Sequence, residues 1–312
     1  MSEPASRTIA RSAPVPPAAS EGSTGAAVSR ALTGGLVMAV ALGAGTGFGA
    51  ALAEAAGLGG LPARLLPAAL VTALAVPLVL RLSSRTGPLG FGGVRQSLRA
   101  LLTGAGVTAG AAALVLGAGT AAGMLDWGRP DAAALVAFLA TNTVVALLLE
   151  ALPEETTLRG RTWTALRGRF RGTVAALGTT VVFLLVPGAS TVVGAGVAWL
   201  AGGTPPPVGL APEGQNPVDY LVLLTVFGLM LVAARTAVTG APLWSAIGAH
   251  LTFLTVNRAV LEGDARGAGL GVEPTTPDAV LLVPAYLLVA TAGFLVCRRL
   301  RTRSVRDGAQ PV

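Results

Sequence analysis

The sequence is poor in the residues that soluble enzymes most often use for catalysis. It has no lysine, one cysteine and one histidine, and 12% of its 312 residues are charged. The single cysteine, Cys297, excludes an internal disulfide and a cysteine-based zinc site. The HExxH, G-x-S-x-G and Walker A motifs are absent. Any chemistry therefore has to come from a few acids and the one histidine.

What the chain has in abundance is apolar residues. They make up 53% of the sequence, and the mean hydropathy is +0.70, which indicates an integral membrane protein. The net charge of +7 could point to nucleic acid, but the arginines lie between apolar runs and not on one soluble face. We therefore expect the lipid bilayer as a partner and no nucleic acid.

Eight apolar runs predict an all-α bundle of about eight transmembrane helices. A helix needs roughly 20 residues to cross the hydrocarbon core, and the seventh run is shorter than this. The pattern of an inverted repeat is not evident. The runs are 31–57, 63–80, 98–125, 131–152, 173–202, 218–238, 242–256 and 278–297.

The distribution of arginine predicts the orientation of these helices. With eight spans, eighteen of the 22 basic residues fall on one side of the membrane, and Arg64, Arg129, Arg258 and Arg266 fall on the other. Positive charge is retained on the cytoplasmic side, so both termini are predicted to be cytoplasmic. The exclusive use of arginine is typical of GC-rich DNA, which favours a bacterial inner membrane.

The chain divides into four parts. Residues 1–29 are rich in alanine, serine and proline and predict a disordered cytoplasmic tail. Residues 30–128 hold the first helices, 129–297 hold the candidate site and the last helix, and 298–312 form a basic cytoplasmic tail. The proline-rich stretch 202–217 has no arginine and predicts an extracytoplasmic loop.

Two adjacent glutamates follow the fourth apolar run and Pro153, in the string EETTLRGR. On a helix Glu155 would lie beside Arg159, four residues on, whereas Glu154 would lie near Glu150. One glutamate gains a guanidinium and the other gains a like charge. We therefore take Glu154 as the candidate general base and Glu155 as its positioned partner. The alternative is that both acids merely balance the nearby arginines.

His250 is the only general acid or base for neutral pH besides the acids. It lies within the seventh run, where a single histidine is also often a hydrogen-bonded packing residue. Asn257 comes two turns later on nearly the same face and could hydrogen-bond in the same cleft. Asn142, and Thr179 or Thr180, are further polar candidates for that cleft.

These strings together resemble the CPBP family of intramembrane proteases, which includes the CAAX prenyl endopeptidases. Glu154, Glu155 and Arg159 match the family motif EExxxR, and the similarity spans roughly residues 130–257. Phe227 and His250 match the later motifs. The resemblance implies hydrolysis of a peptide bond of a membrane-associated substrate near the cytoplasmic face. It implies that Glu154 activates water and that His250 stabilises the oxyanion.

The sequence departs from the family at two positions. The FxxxH motif has Phe183 but ends at Pro187, and Leu254 stands where HxxxN has its last residue. A non-catalytic binding or scaffold protein thus remains the alternative to an active endopeptidase, and a proton-coupled transporter is a third possibility. The residues predict no cofactor, because catalytic zinc normally takes three protein ligands rich in histidine or cysteine. Zinc is implied by the resemblance alone.

Overall fold

The computed structural model describes residues 23–84 and 88–307, with side chains described as far as residue 303. A small antiparallel sheet of β1 (Leu125–Trp127) and β2 (Val272–Pro274) joins two loops at one end of the bundle. The described residues form eight long helices: α1 (Thr24–Ala55), α2 (Gly60–Ser83), α3 (Val94–Ala121), α4 (Ala132–Arg167), α5 (Gly172–Leu200), α6 (Pro217–Ala237), α7 (Pro242–Val256) and α8 (Leu282–Asp307).

The predicted all-α membrane bundle is confirmed. Seven helices of the described chain are long and apolar enough to cross a bilayer. The eighth, α7, has 15 residues and continues into a π-helical turn, Asn257–Leu261. Each apolar run of the sequence corresponds to one of these helices, so the chain is a multi-pass membrane protein.

The two predicted tails differ from the structure at their inner boundaries. α1 begins at Thr24, so the segment predicted to be disordered as far as residue 29 includes its first residues. The hydroxyl of Ser23 accepts the N–H of Ala26 at 3.2 Å, which caps the helix and fixes its start. α8 continues to Asp307 through the predicted basic tail. Residues 1–22 and 308–312 lie outside the described residues.

The longest extension beyond an apolar run concerns α4, which continues through Pro153 and both glutamates as far as Arg167. The turn before the proline, Leu147–Ala151, is π-helical, so each carbonyl bonds to the N–H five residues on. Proline has no N–H, and the carbonyl of Leu148 therefore lacks its donor within the helix. The hydroxyl of Thr72 in α2 donates to that carbonyl instead. A neighbouring helix thus supplies the bond that the proline removes.

Three arginines that were expected in the loops between apolar runs are instead buried inside helices, so their prediction as loop residues was wrong. They are Arg159, Arg161 and Arg235. Arg161 Nη1 donates to the carbonyl of Leu82 at 2.7 Å, and Arg235 Nη1 donates to the carbonyl of Leu89 at 3.0 Å. These bonds fix the connection between α2 and α3 against α4 and α6. The first bond also satisfies a carbonyl that the end of α2 leaves free.

The helices approach one another through glycine. α3 packs along α7, α1 packs against α2 and α5, and α8 packs against α3 and α6. A Cβ atom on Gly104 of α3 would lie 2.0 Å from the carbonyl oxygen of Ser245 in α7. One on Gly248 of α7 would lie 2.2 Å from the carbonyl oxygen of Leu101. The two backbones are therefore in direct contact, which only glycine permits.

We expect Gly104→Ala to destabilise the bundle by about 1 to 3 kcal/mol, because the added methyl group pushes α3 and α7 apart. Gly106→Ala is the matched control, since a Cβ there meets nothing within 4 Å. Thermal unfolding of both variants in the same detergent measures the difference. Equal melting temperatures would show that the helices do not meet at Gly104.

Candidate active site

Glu154 lines a cavity of about 420 Å³ between α4, α5, α6 and α7. Glu150, His250 and Tyr220 contribute to the same wall, and most of the remaining lining is apolar. The cavity extends from Glu154 to the loop between α5 and α6. That loop is at the end of the bundle opposite the arginine-rich ends of α4 and α8. The other residues that line the cavity include Leu42, Leu149, Phe183, Val186, Pro187, Ser190, Thr191, Gly209, Pro212, Leu223, Phe227, Phe253 and Leu254.

Glu155 points away from this cavity into a fully buried cluster. Its Oε1 atom accepts a hydrogen bond from Arg159 Nη1 at 3.2 Å, which confirms the predicted pair. The same oxygen lies 2.9 Å from His250 Nδ1, a contact between α4 and α7 that the sequence did not predict. The guanidinium of Arg159 lies over the ring of Phe183 at 4.5 Å. The carboxylate thus joins α4 to α7, and the guanidinium paired with it contacts α5.

The contact with Glu155 fixes the orientation of His250. With Nδ1 directed at the carboxylate, Nε2 is the ring nitrogen left for other partners, and it makes no hydrogen bond with the described residues. The ring of Phe227 packs edge-on against the imidazole, with 4.9 Å between centroids. A carboxylate on one nitrogen is the usual way in which proteins position the other nitrogen of a histidine.

Glu150 and Glu154 lie on one face of α4, as helical spacing predicted, and both line the cavity, but their surroundings differ. Glu150 Oε1 lies 2.5 Å from Arg258 Nη2 on the π turn after α7. Arg258 Nη1 lies 3.5 Å from Asn142 Oδ1. The carboxylate of Glu154 makes no hydrogen bond or ion pair with the described residues. It is therefore the acid of the cavity that is free to act on a ligand.

Other predicted residues do not join the site. Asn257 Nδ2 donates to the hydroxyl of Tyr286 at 2.9 Å, and its side chain does not line the cavity with His250. Thr179 and Thr180 are buried but do not line the cavity either. Asn257 Nδ2 also donates to the carbonyl of Phe253 at 2.9 Å, so both of its N–H groups have partners.

Tyr220 is a cavity residue that sequence reasoning missed. It lines the cavity together with Glu154 and Glu150. It makes no hydrogen bond with the described residues, whereas the hydroxyl of Ser190 donates to the carbonyl of Pro187 at 2.7 Å. The sequence feature that could have identified Tyr220 is its position two turns before Phe227, which places both rings on one face of α6.

The comparison with known families agrees with this arrangement. Residues 136–256 match the family model described as type II CAAX prenyl endopeptidase Rce1-like. This part of the chain is similar to the Rce1-like family. The Rce1-like region runs from α4 to the end of α7, contains both glutamates and His250, and confirms the resemblance to CPBP intramembrane proteases. Neither a curated protein nor a solved structure matches the chain.

The two departures from the family motifs lie within the Rce1-like region and face the cavity. Pro187 stands at the position of the motif histidine, and Leu254 stands at the last position of HxxxN. Both line the cavity with Glu154 and His250. Two polar groups of the family pattern are thus replaced by apolar ones where a substrate would lie.

The donors around the cavity do not fit a catalytic zinc ion. Such an ion normally takes three protein ligands. Glu150 is paired with Arg258, and Glu155 is occupied by Arg159 and by Nδ1 of the histidine. Glu154 and Nε2 of His250 then remain, and the described chain contains no cluster of three potential ligands.

We expect Glu155→Ala to destabilise the protein strongly, by about 3 to 5 kcal/mol, because it leaves the Arg159 charge buried without its partner. Glu154→Gln is the matched control, since that side chain has no ion pair to lose. Thermal unfolding in detergent compares the two variants. The role of Glu155 in the fold is refuted if both variants unfold at the same temperature.

Proposed function

We propose that the chain is an intramembrane endopeptidase in which Glu154 is the general base. The observation that carries the proposal is an unpaired carboxylate facing an apolar cavity, beside a histidine that a second carboxylate holds in place. Unpaired acids inside membrane helices are costly, and they usually mark functional sites. The Rce1-like match supports a protease of the CAAX type.

The mechanism assigns one task to each group. Glu154 takes a proton from a water molecule, the water oxygen attacks the carbonyl carbon of the scissile peptide bond, and Glu154 returns the proton to the leaving amine. His250 is held through Nδ1 by Glu155 and directs Nε2 to the carbonyl oxygen. When His250 is protonated, Nε2–H donates a hydrogen bond to the oxyanion.

Tyr220 supplies a second donor in place of the groups lost at Pro187 and Leu254. A phenol donates a hydrogen bond without carrying charge, which suits a site that is mostly apolar. Tyr220 lines the same cavity as Glu154, and its hydroxyl makes no hydrogen bond with the described residues. It can therefore bind the developing oxyanion from the side of α6.

The cavity favours a membrane-associated peptide as the substrate. Its wall carries phenylalanine, leucine and valine side chains that suit an extended apolar segment. It lies inside the bundle and extends away from the arginine-rich end, so we place the scissile bond there and not at the cytoplasmic face expected from the resemblance. We retain the bacterial inner membrane and cytoplasmic termini as part of the proposal, on the arginine distribution.

A second candidate function is a non-catalytic binding or scaffold protein. Pro187 and Leu254 favour it, because they place apolar side chains where the family motifs have a histidine and an asparagine or aspartate. Such a protein would keep the cavity and its peptide ligand but would not hydrolyse it. The two functions differ in what they require of Glu154.

We expect Glu154→Gln to abolish cleavage of a membrane-tethered peptide reporter, because glutamine cannot accept the proton of the attacking water. Glu262→Gln is the control, since Glu262 forms an exposed ion pair with Arg266 outside the cavity. Release of the reporter fragment from membranes measures the rate. An unchanged rate would refute catalysis by Glu154, and a cellular phenotype that survives the substitution would support the scaffold.

Tyr220→Phe should lower kcat by roughly tenfold to a hundredfold and change KM little, because the lost donor serves the transition state more than the ground state. Folding should not change, since the hydroxyl makes no hydrogen bond within the described chain. Reporter kinetics and thermal unfolding of the purified variant provide the two readouts. Wild-type kcat in the phenylalanine variant would exclude the phenol as an oxyanion donor.

A further inference from the structure

A second large cavity lies at the end of the bundle opposite the loop between α5 and α6. The cavity lined by Glu154 is called the catalytic cavity below. The second cavity has a volume of about 670 Å³ and is bounded by the end of α4, the start of α5 and the last turns of α6 and α8. Three arginines, Arg167, Arg298 and Arg301, contribute to its wall, and no acidic residue does. It shares no lining residue with the catalytic cavity.

The charge of these arginines is not neutralised by the described residues. Arg167 Nη1 donates to the carbonyl of Phe170, and Arg301 Nη1 donates to the carbonyl of Ala237, both at 2.8 Å. These neutral acceptors orient the guanidinium groups but leave their positive charge in place. Arg298 makes no hydrogen bond or ion pair with the described chain. The wall of the cavity therefore carries three positive charges with no acidic partner among the described residues.

The first turn of α5 adds a second, independent feature to the same cavity. Gly172 and Thr173 line it, and the preceding Arg171 provides no side-chain cap. The first N–H groups of a helix have no partner within the helix, and the helix dipole is positive at this end. Uncapped N–H groups beside arginines form a site that suits a phosphate group.

Apart from Thr236 and Thr291, the rest of the wall is apolar. Leu229 and Val232 of α6 and Leu295 of α8 line the side between the two helices, and Leu295 is 43% exposed. Trp163 lies near the arginines, where an indole typically marks the boundary between head groups and hydrocarbon. The cavity thus has a positive end and an apolar side, as a ligand with a charged head and a hydrocarbon chain requires.

We propose that this cavity binds an anionic phospholipid. Arg167, Arg298 and the N-terminus of α5 bind the phosphate, and the acyl chains lie along Leu229, Val232 and Leu295. The arginine-rich end is the predicted cytoplasmic face, where anionic lipids attract basic groups. The occupant connects α8 to α4 and α5 and should stabilise their contact. Lipid binding at this cavity does not depend on the proposed endopeptidase activity, because the two cavities share no lining residue.

The test measures lipid binding to the purified full chain by native mass spectrometry. Dioleoyl phosphatidylglycerol, which carries one negative charge, is compared with zwitterionic dioleoyl phosphatidylcholine. The variant R167Q/R298Q removes two cavity charges. R299Q/R303Q is the matched control, since it removes the same charge from exposed positions of α8 outside the cavity.

We expect phosphatidylglycerol to bind the wild type more tightly than phosphatidylcholine and to raise its melting temperature. The affinity of R167Q/R298Q for phosphatidylglycerol should fall roughly tenfold or more, because each arginine contributes on the order of a fewfold. The control variant should retain wild-type affinity. Together these results would support specific binding of the anionic phospholipid in this cavity.

Three results would each overturn the proposal. Equal binding of the two lipids by the wild type, which needs no variant, would exclude recognition of charge. An equal loss in both double variants would show general attraction to basic helix ends. Displacement of phosphatidylglycerol by sn-glycerol 3-phosphate at similar concentration would show that the ligand is a soluble phosphate and that the apolar wall is not used.

Discussion

The buried carboxylate of Glu155 is the constraint on which the centre of the bundle depends. Removing such a charge from water costs several kcal/mol, which only close partners can offset. Arg159 and His250 both contact its Oε1 atom, and the ring of Phe183 covers the guanidinium. The partners come from α4, α7 and α5. Their helices therefore have to meet at this point, and the cavity beside Glu154 is the space that this meeting leaves.

The two adjacent glutamates consequently do different work. Neighbouring residues on a helix point in directions about 100° apart, so one carboxylate enters the buried cluster while the other faces the cavity. From Glu155 to Thr162 the helix is π-wound and every residue is buried, which closes the bundle on the arginine-rich side. A ligand of Glu154 has space only towards Tyr220 and the loop between α5 and α6. The shape of the cavity thus follows from the position of the buried charge.

Sequence patterns predicted what depends on neighbours in the chain. Apolar runs located all eight helices, and helical spacing predicted the pair of Glu155 with Arg159. The apolar run ended before Pro153, whereas α4 continues to Arg167. The hydroxyl of Thr72, which replaces the bond that the proline removes, belongs to another helix and is not part of any local pattern. The contacts of His250 with Glu155 and of Arg258 with Glu150 join residues of different helices. Spacing along one helix carries no information about them, so they required the structure.

The loss of polar groups at Pro187 and Leu254 weighs against activity. The presence of the buried cluster is not evidence for activity. Glu155, Arg159 and His250 stabilise one another, so the fold alone is sufficient reason for their presence. Glu154 is different. Its carboxylate has no partner among the described residues, it faces an apolar cavity, and by its contacts it contributes only an unfavourable desolvation free energy. A ligand or a reaction is the remaining physical reason for an acid at this position. The proposed function therefore depends on Glu154, because the stability of the fold already accounts for Glu155.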